Sequence, residues 1–480
     1  MINFTALDLV FFWAYLLIIL GIGIRASKSV KSLKDYSIGG RGYSGFFVFA
    51  TLSASFIGGG FSIGLSEKVF TLGLSFVLAV WGFSLKEILI AKFIAPRMGT
   101  FEKKMSVGDI MGQLYGKHAK VVTGIAGALV CTGVAGAQFC AFGYITHILL
   151  GISPSLGIFV GAIVVIFYST LGGMRSIVMN DTVHFCVLMV TIPPVAYFGL
   201  QYVGGLELLW SKLPEAHGNM LTSMPTLTLV GWFLTFFFGE TLVPPYVQRL
   251  LIGRTIKDTV RGTFLSGLVS IPFFFVIGFI GLIAVVIAPD LNANLSLPHV
   301  ILTVMPDGLK GLAIVGVMAI LMSSADSFLN AAAVSVIHDF WKPIHKSALS
   351  EKSELWLTRC ATFILGASGG FFALKSESAV DALLYAYNFW TPFILVPLVS
   401  GIIGYKATPR TFWLSSISGV CGMLSWSLLI GASENFDAAI VGIAVNFVTF
   451  ITLRHFEHMT PLNIAHKCYN DARIQACDPS

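Results

Sequence analysis

The feature that most constrains this chain is a succession of long apolar runs from one end to the other. Thirteen runs can be read, most of them near the length of about 20 residues that a helix needs to cross a bilayer. We number them spans 1 to 13, with approximate limits 7–24, 43–65, 72–95, 119–147, 153–172, 180–202, 225–247, 259–288, 309–338, 355–374, 378–402, 412–431 and 437–453. Only 11% of residues are charged, whereas soluble domains carry about a quarter. The pattern predicts an all-α integral membrane protein.

The lysine and arginine residues predict the orientation of these spans. The loops after the odd-numbered spans and the tail hold 24 of the 30, and Arg249 is counted among them. The opposite loops hold Lys68, Lys212, Lys310 and Lys375. Because basic loops remain in the cytoplasm, we expect the N-terminus outside the cell membrane and the C-terminus inside. Basic residues scattered over short loops also argue against a nucleic-acid partner.

The segments between the spans are too short for a separate globular domain. The longest are the loop near 203–224 and the tail from 454. The seven cysteines form no CxxC pair, the histidines have no HExxH spacing, and no Walker loop is present. We therefore expect no enzyme, no ATP-driven pump and no obligate protein partner.

Spans 2 and 7 are poorly suited to be continuous helices. Span 2 reads FFVFATLSASFIGGGFSIGL, with three consecutive glycines from Gly58 to Gly60. Span 7 reads FFFGETLVPPYVQR, with Gly239 and the pair Pro244–Pro245. Glycine and proline weaken or break a helix, and freed backbone groups cannot face lipid. Either span alone is explained by close packing or a kink, but two interrupted spans in corresponding halves indicate the midplane binding site of a transporter.

Span 9 carries polar residues at its middle, in the sequence MSSADS. Ser323, Asp326 and Ser327 share one helix face by their spacing, and Ser324 adjoins them. Oxygen ligands suit a hard cation such as Na⁺, although each serine alone is explained by a bond to its own helix. A carboxylate inside the membrane normally faces the bundle interior with a partner. Asp181, near the start of span 6, is a second acid and is equally well explained as a helix cap.

Further polar residues lie within the other spans. Lys86 and Glu87 are adjacent in span 3, where we expect each to pair with other spans because neighbouring side chains diverge on a helix. Glu240 lies at the break of span 7, either as a contact for solute or cation or as a hydrogen-bonded plug for the broken backbone. Gln138 and Asn388 are weaker candidates.

Three stretches resemble the sodium:solute symporter family. They are YSTLGGMRSIVMND at 168–181, YVQRLLIGRTIKDTVRG at 246–262 and MSSADS at 322–327, and the resemblance extends over roughly 7–453. It implies a five-plus-five inverted-repeat core with discontinuous helices. The expected parts are 1–42 (first peripheral span and cytoplasmic loop), 43–202 (first repeat), 225–402 (inverted second repeat), 412–453 (two peripheral spans) and 454–480 (cytoplasmic tail).

The resemblance also implies a coupling ion, Na⁺, and residues that bind it. The principal sodium site of the family maps here to Val48, Thr51, Ile320, Ser323 and Ser324. A second sodium site, present in some members, maps to Asp181, Ser323, Asp326 and Ser327. The latter often has a serine where Asp326 stands.

The branch that this sequence resembles most is the high-affinity choline transporters, but its substrate cage is not retained. The tryptophans of that branch map to Ser55, Val134 and Val243, and two polar residues of the sugar branch map to Val80 and Val243. The pocket candidates are Ser53, Ser55, Trp81, Phe83, Gln138, Glu240 and Val243. A quaternary ammonium needs several aromatic faces, so the sequence argues against choline.

The leading hypothesis is therefore sodium-coupled symport of a small organic solute into the cell by alternating access. The expected partners are the solute and the lipid bilayer. One alternative is proton coupling through Asp181 and Asp326. Another is a channel or sensor with the same fold, against which the two midplane breaks and the lack of a signalling domain argue.

Overall fold

A computed structural model describes residues 5–345, 349–376, 378–388, 390–405, 407–430 and 437–459. Within these ranges the regular structure is helical, apart from one isolated bridge between Tyr43 and Gly253. The all-α prediction is confirmed. The predicted tail lies largely outside the described residues, since its description ends at residue 459.

Nine helices in the described ranges are long and apolar enough to cross a membrane. They are Ala6–Ser27 (span 1), Lys117–His147 (span 4), Gly172–Val203 (span 6), Ile256–Ile287 (span 8), Lys310–Ile344 (span 9), Glu351–Ala373 (span 10), Ala379–Ile402 (span 11), Pro409–Leu429 (span 12) and Ala438–Glu457 (span 13). These nine helices and their hydropathy confirm a multi-pass membrane protein.

The other four predicted spans are shorter or interrupted helices. Span 2 consists of helix 2a, Gly45–Phe56, and helix 2b, Ile63–Leu72. Span 7 likewise consists of helix 7a, Thr226–Phe238, and helix 7b, Pro244–Leu250. Span 3 runs over Ser75–Leu89 and continues as a π-helix, Ile90–Ile94, and span 5 is Pro154–Thr170. Both predicted breaks are present, whereas thirteen membrane crossings and the inverted repeat stay predictions.

Short helices outside the spans complete the chain. They are Leu33–Ile38, Val107–Tyr115, Leu206–Lys212 and Ser296–Val304. The last of these falls in a segment that the hydropathy pattern leaves as a loop. Its Ser296 hydroxyl lies 2.9 Å from the hydroxyl of Ser66 on helix 2b, so this helix packs back onto the bundle.

Spans 5 and 6 follow each other almost without interruption at Gly173. This residue has φ 61° and ψ −177°, between two otherwise helical stretches. A side chain there would require a left-handed conformation and would lie 3.1 Å from the Cα of Tyr36. The GG dipeptide of 168–181 thus permits a sharp redirection that brings span 6 back into the core.

Span 9 lies at the centre of the bundle. Of its most apolar stretch 94% is buried, compared with 25% for span 1, 22% for span 12 and 28% for span 13. Span 9 packs against spans 4 and 6 and contacts helices 2a and 7b. The three least buried helices are those that the sequence analysis assigned to the periphery.

Asp8 ties the first peripheral span to the central one. Its carboxylate accepts hydrogen bonds from the backbone amides of Gly311, at 2.6 Å, and Gly308, at 3.3 Å. The same carboxylate accepts the hydroxyl of Thr5 and so caps its own helix. The side chain of Asp8 is 1% exposed, which makes these bonds the replacement for its lost hydration.

We expect Asp8→Ala to lower the free energy of unfolding by about 2 kcal/mol, because amides at the start of span 9 lose a charged acceptor. Thermal unfolding in detergent measures the effect. Asp290→Ala, which removes an exposed carboxylate, is the control and should leave the unfolding temperature unchanged. Equal unfolding temperatures for the two variants would contradict the role of Asp8.

Candidate functional site

The first break lies between helices 2a and 2b. Helix 2a ends at Phe56, and Ile57 leaves helical geometry with φ −73° and ψ 64°. Helix 2b begins only at Ile63, so the backbone of 57–62 has no regular helical bonding. In an apolar core these freed groups need other partners.

Side chains from spans 4 and 9 supply those partners. The side-chain oxygen of Gln138 accepts the amide of Gly59 at 2.5 Å. The hydroxyl of Ser324 donates to the carbonyl of Ser55 at 2.8 Å. Ser62 closes the break from within by donating to the carbonyl of Gly58 at 2.8 Å. Side chains of spans 4 and 9 therefore bond the backbone groups that the break leaves free.

A buried ion pair lies beside this break. The carboxylate of Asp181 accepts one guanidinium nitrogen of Arg249 at 3.1 Å, and both side chains are 0% exposed. It also accepts the hydroxyl of Ser323 at 2.5 Å and that of Thr51. Span 6, helix 7b, span 9 and helix 2a thus meet at one carboxylate.

Arg249 uses its whole guanidinium in this contact. Nη2 donates to Ser327 as well as to Asp181, and Nε donates to the hydroxyl of Thr51 at 3.1 Å and to its carbonyl at 3.3 Å. Nη1 donates to the carbonyl of Pro245 at 3.0 Å. The planar fork of arginine fits such a set of converging oxygens, which a lysine could not bridge.

Asp326 places a second carboxylate next to this pair. Its Oδ1 accepts the hydroxyl of Ser327 at 3.2 Å, while its buried Oδ2 has no hydrogen-bond partner. His184 lies near Asp181 but has two buried nitrogens without partners. We name Asp181, Arg249 and Asp326 the first cluster.

The first cluster is one positive charge short. It contains two carboxylates and one guanidinium, all 1% exposed or less. An uncompensated charge inside a protein is costly, so the cluster is suited to an added cation. Hydroxyl, carbonyl and carboxylate oxygens surround it, and these are the ligands that hard cations prefer. Sodium therefore fits the residues present.

The structure brings together most of the residues predicted to bind sodium. The hydrogen bonds above join Thr51 and Ser323 directly to Asp181, and they join Ser327 and Asp326 to it through Arg249. Ile320 lies one turn before Ser324 on span 9 and is fully buried. Val48 is different, because it lies in the first turn of helix 2a, about 10 Å along the axis from Ser55. The carbonyl that meets Ser324 belongs to Ser55, so Val48 stays a prediction without a contact to support it.

The second break lies between helices 7a and 7b. Leu242 has a positive φ of 53°, unusual for a branched residue, and Val243 then precedes helix 7b. The indole of Trp390 donates to the carbonyl of Thr241 at 3.0 Å. Glu240 accepts the hydroxyl of Tyr246 on helix 7b, and both of its predicted roles at the break stay predictions.

Lys86 and Glu87 correct an expectation. They were predicted to pair with other spans, but Lys86 Nζ lies 2.8 Å from Glu87 Oε1, and both side chains are 2% exposed. The flexible lysine stem bridges the angle between adjacent helix positions. Its ammonium also lies 3.4 Å from the centre of the Phe83 ring and 5.4 Å from that of Tyr246.

The predicted pocket residues divide into two groups. Ser55 and Gln138 lie at the first break, and Phe83 and Glu240 lie close to Lys86. Trp81 instead donates its indole N–H to the carbonyl of Ile271 on span 8 at 3.0 Å, and its place in the pocket stays a prediction. Two further candidates are Val243, buried at the second break, and Ser53, whose buried hydroxyl has no partner.

Arg249 has a role that its place in the sequence did not lead us to predict. It was counted with the cytoplasmic loops, but it is 0% exposed and paired with Asp181. The signal was present, since a membrane-embedded carboxylate such as Asp181 requires a partner and Arg249 follows directly on an apolar stretch. One basic residue therefore leaves the orientation count, and the excess in those loops remains large.

A further group near the C-terminal end of span 9 has its own cation. Among the described residues, Asp109, His338 and Asp339 lie close enough to hold a metal ion. The ammonium of Lys120 already lies 2.6 Å from Asp109 and 3.1 Å from His338. This lysine occupies the position of a cation, and the group fastens the helix Val107–Tyr115 to span 9.

Comparisons with known proteins agree with this architecture. The model of the sodium:solute symporter family matches residues 36–419. High affinity choline transporter 1 of Homo sapiens is 25% identical over 429 residues, covering 82% of this chain and 72% of the relative. The sodium/proline symporter of Escherichia coli (strain K12) is 22% identical over 469 residues, covering 93% of each chain. A solved structure of a Na⁺-coupled sialic acid symporter, substrate-bound and outward-open, has a TM-score of 0.81 at 19% identity and covers 95% of this chain and 98% of that one.

A helical bundle with two broken spans and a buried, cation-deficient cluster defines a secondary membrane transporter. The family match extends over most of the chain, and the protein belongs to the sodium:solute symporter family. Sodium-coupled symport of a solute follows from this membership, with Na⁺ as the coupling ion.

We expect Arg249→Met to destabilise the protein by roughly 3–5 kcal/mol, because Asp181 and Asp326 would remain buried without a cation. The apparent unfolding temperature and the yield of folded protein measure this loss. Arg254→Met is the matched control, because Arg254 is 65% exposed and its ion pair within the described part of the chain is with Asp258 at the surface. Wild-type stability of Arg249→Met would show that the ion pair is dispensable.

Proposed function

We propose that this protein carries a small organic solute into the cell together with Na⁺, by alternating access. The observation that supports this most directly is the buried first cluster, which lacks one positive charge and adjoins a helix break. The driving force would be the sodium gradient and the membrane potential, about 2.3 kcal/mol per charge per 100 mV. The proposed setting is the cell membrane, with the N-terminus outside.

The proposed sodium position lies between the end of helix 2a and span 9. The carbonyl of Ser55, the hydroxyls of Ser323 and Ser324 and the backbone of Ile320 would supply oxygen ligands there. The predicted second site is a weaker candidate, since Arg249 Nη2 already contacts both Asp181 and Ser327. We therefore propose one sodium per cycle, with the guanidinium in the second cation position.

The proposed moving parts are the two halves of the core. Residues 43–202 and 225–402 would form the two repeats, with the breaks of spans 2 and 7 in corresponding places. Sodium bound near Ser55 would hold helix 2a against span 9 and so order the solute pocket. Loss of sodium to the cytoplasm would release that contact and complete the cycle.

The proposed solute is not a quaternary ammonium compound. The aromatic faces of Phe83 and Tyr246 are already approached by the protein's own ammonium on Lys86. A quaternary ammonium would need such faces for itself. The names of the relatives mention choline, proline and sialic acid. These compounds form a panel of solutes to be tested and do not identify the solute.

We expect sodium, and not potassium, to raise the unfolding temperature at equal ionic strength, since a ligand of the native state stabilises it by about 2.7 kcal/mol at a hundredfold excess over its Kd. Ser323→Ala and Ser324→Ala should each weaken the effect. Ser270→Ala is the matched control, equally buried but bonded to Ser84. Identical responses of wild type to both salts would refute the proposed sodium site.

Uptake into proteoliposomes tests the solute class. With an inward sodium gradient we expect no uptake of labelled choline, because Lys86 occupies the aromatic faces. Labelled L-proline and N-acetylneuraminic acid complete the first panel of solutes. The variant Phe83→Ala shows whether Phe83 contacts the solute or only packs against other side chains. Saturable, sodium-dependent choline uptake that Phe83→Ala abolishes would contradict the proposed exclusion of quaternary ammonium compounds.

A further inference from the structure

A second group of buried charges lies at the break of span 7. Lys86, Glu87 and Glu240 are each 2% exposed. We name them the second cluster. It contains two carboxylates and one ammonium, so it too is one positive charge short. Arg249 belongs to the first cluster, where it pairs with Asp181. The basic residue that we identify beside Glu240 is therefore Lys86.

Glu240 is the carboxylate of this cluster without a direct cation. Glu87 already has the ammonium of Lys86 at 2.8 Å. The groups that face Glu240 are Lys86 and Glu87 of span 3, Cys131 of span 4, Tyr246 of helix 7b and Tyr387 of span 11. The thiol and the two phenols are neutral and leave the charge on Glu240 uncompensated.

The aromatic and apolar side chains around the second cluster limit which cation can neutralise its excess negative charge. The Phe83 ring centre lies 4.8 Å from those of Phe56 and Phe61. The Tyr246 ring centre lies 5.8 Å from that of Phe328. The cavity of about 730 Å³ that Lys86 lines is walled mostly by apolar side chains, so it offers few oxygen ligands to a metal cation. A proton adds a positive charge and requires almost no volume.

We propose that Glu240 is a proton-binding site, occupied in the arrangement that this structure shows. The proton binds to Oε1, because Oε2 accepts the hydroxyl of Tyr246. It comes from water when the break opens, forms an O–H bond, and returns to water when the break opens again. The carrier thus binds a proton in addition to sodium, at a separate place.

Two other protonation states of the second cluster are less favourable than a proton on Glu240. A neutral Lys86 would leave two carboxylates without any cation. A proton on Glu87 would break a direct ion pair and leave Lys86 to a more distant partner. A proton on Glu240 preserves the 2.8 Å pair of Lys86 and Glu87 and neutralises the cluster.

The test follows the unfolding temperature of the purified full-length protein from about pH 5.5 to about pH 8.5 at constant sodium. The probe is the proton itself. A proton held by the native state and released by the unfolded chain stabilises the fold at low pH, and this stabilisation is lost as the pH rises. We expect the wild-type unfolding temperature to fall with pH, up to about tenfold in the folded-to-unfolded ratio per pH unit. Other groups contribute to the slope, so variants isolate the share of Glu240.

Two variants should flatten the slope. Glu240→Gln imitates the protonated acid, and Glu87→Gln lets Lys86 neutralise Glu240 without a proton. Glu354→Gln is the control, since Glu354 pairs with Lys342 at the cytoplasmic side. A reduced slope in Glu240→Gln, with or without the same change in Glu87→Gln, supports the proposal.

Three results would overturn the proposal. They are a wild-type slope of zero, an unchanged slope in Glu240→Gln, and flattening in Glu87→Gln alone, which would place the proton on Glu87. Repeating the pH series with potassium in place of sodium separates the test of the proton site from the test of the sodium site. A failed sodium site removes the sodium-dependent shift and leaves the pH slope, whereas a failed proton site does the reverse.

Discussion

The ion pair between Asp181 and Arg249 is the contact on which the arrangement of the core depends. It lies where span 6, helix 7b, helix 2a and span 9 converge, and both side chains are 0% exposed. Without water, neither charge can be left alone at a tolerable cost, so the four elements must adopt positions that satisfy it. The serine and threonine hydroxyls around Asp181 bond to the carboxylate at the positions that the guanidinium leaves free. The oxygen atoms that suit sodium are held in place by this arrangement of the four elements.

The two breaks combine the same elements with different surroundings. Each interrupts a span, has its backbone bonded by side chains of neighbouring helices, and lies beside two carboxylates and one base. At the first break the neighbours are small hydroxyls, which offer oxygen ligands to a metal cation. At the second break the neighbours are aromatic rings in contact. The two breaks therefore differ in the oxygen ligands that they offer to a cation.

Much of the fold could be predicted because it is encoded locally. Apolar runs mark the spans, and the glycines after Ile57 and the prolines after Val243 mark the breaks at the correct positions. Contacts between distant segments were harder to foresee. Arg249 reads as a loop residue until the position of Asp181 is known, and Lys86 pairs with its own neighbour because its stem is long enough to turn back. The register of helix 2a against span 9 likewise depends on packing, so Ser55 and not Val48 meets Ser324.

Helix 7b connects the two clusters physically. It spans only Pro244–Leu250, yet Tyr246 bonds to Glu240 at one break and Arg249 bonds to Asp181 at the other. Residues three apart lie on the same side of a helix, so a short helix carries both groups as one rigid body. A displacement that separates Arg249 from Asp181 also moves Tyr246 relative to Glu240. Coupling between two sites requires an element whose position both sites influence, and helix 7b meets that requirement through two named bonds.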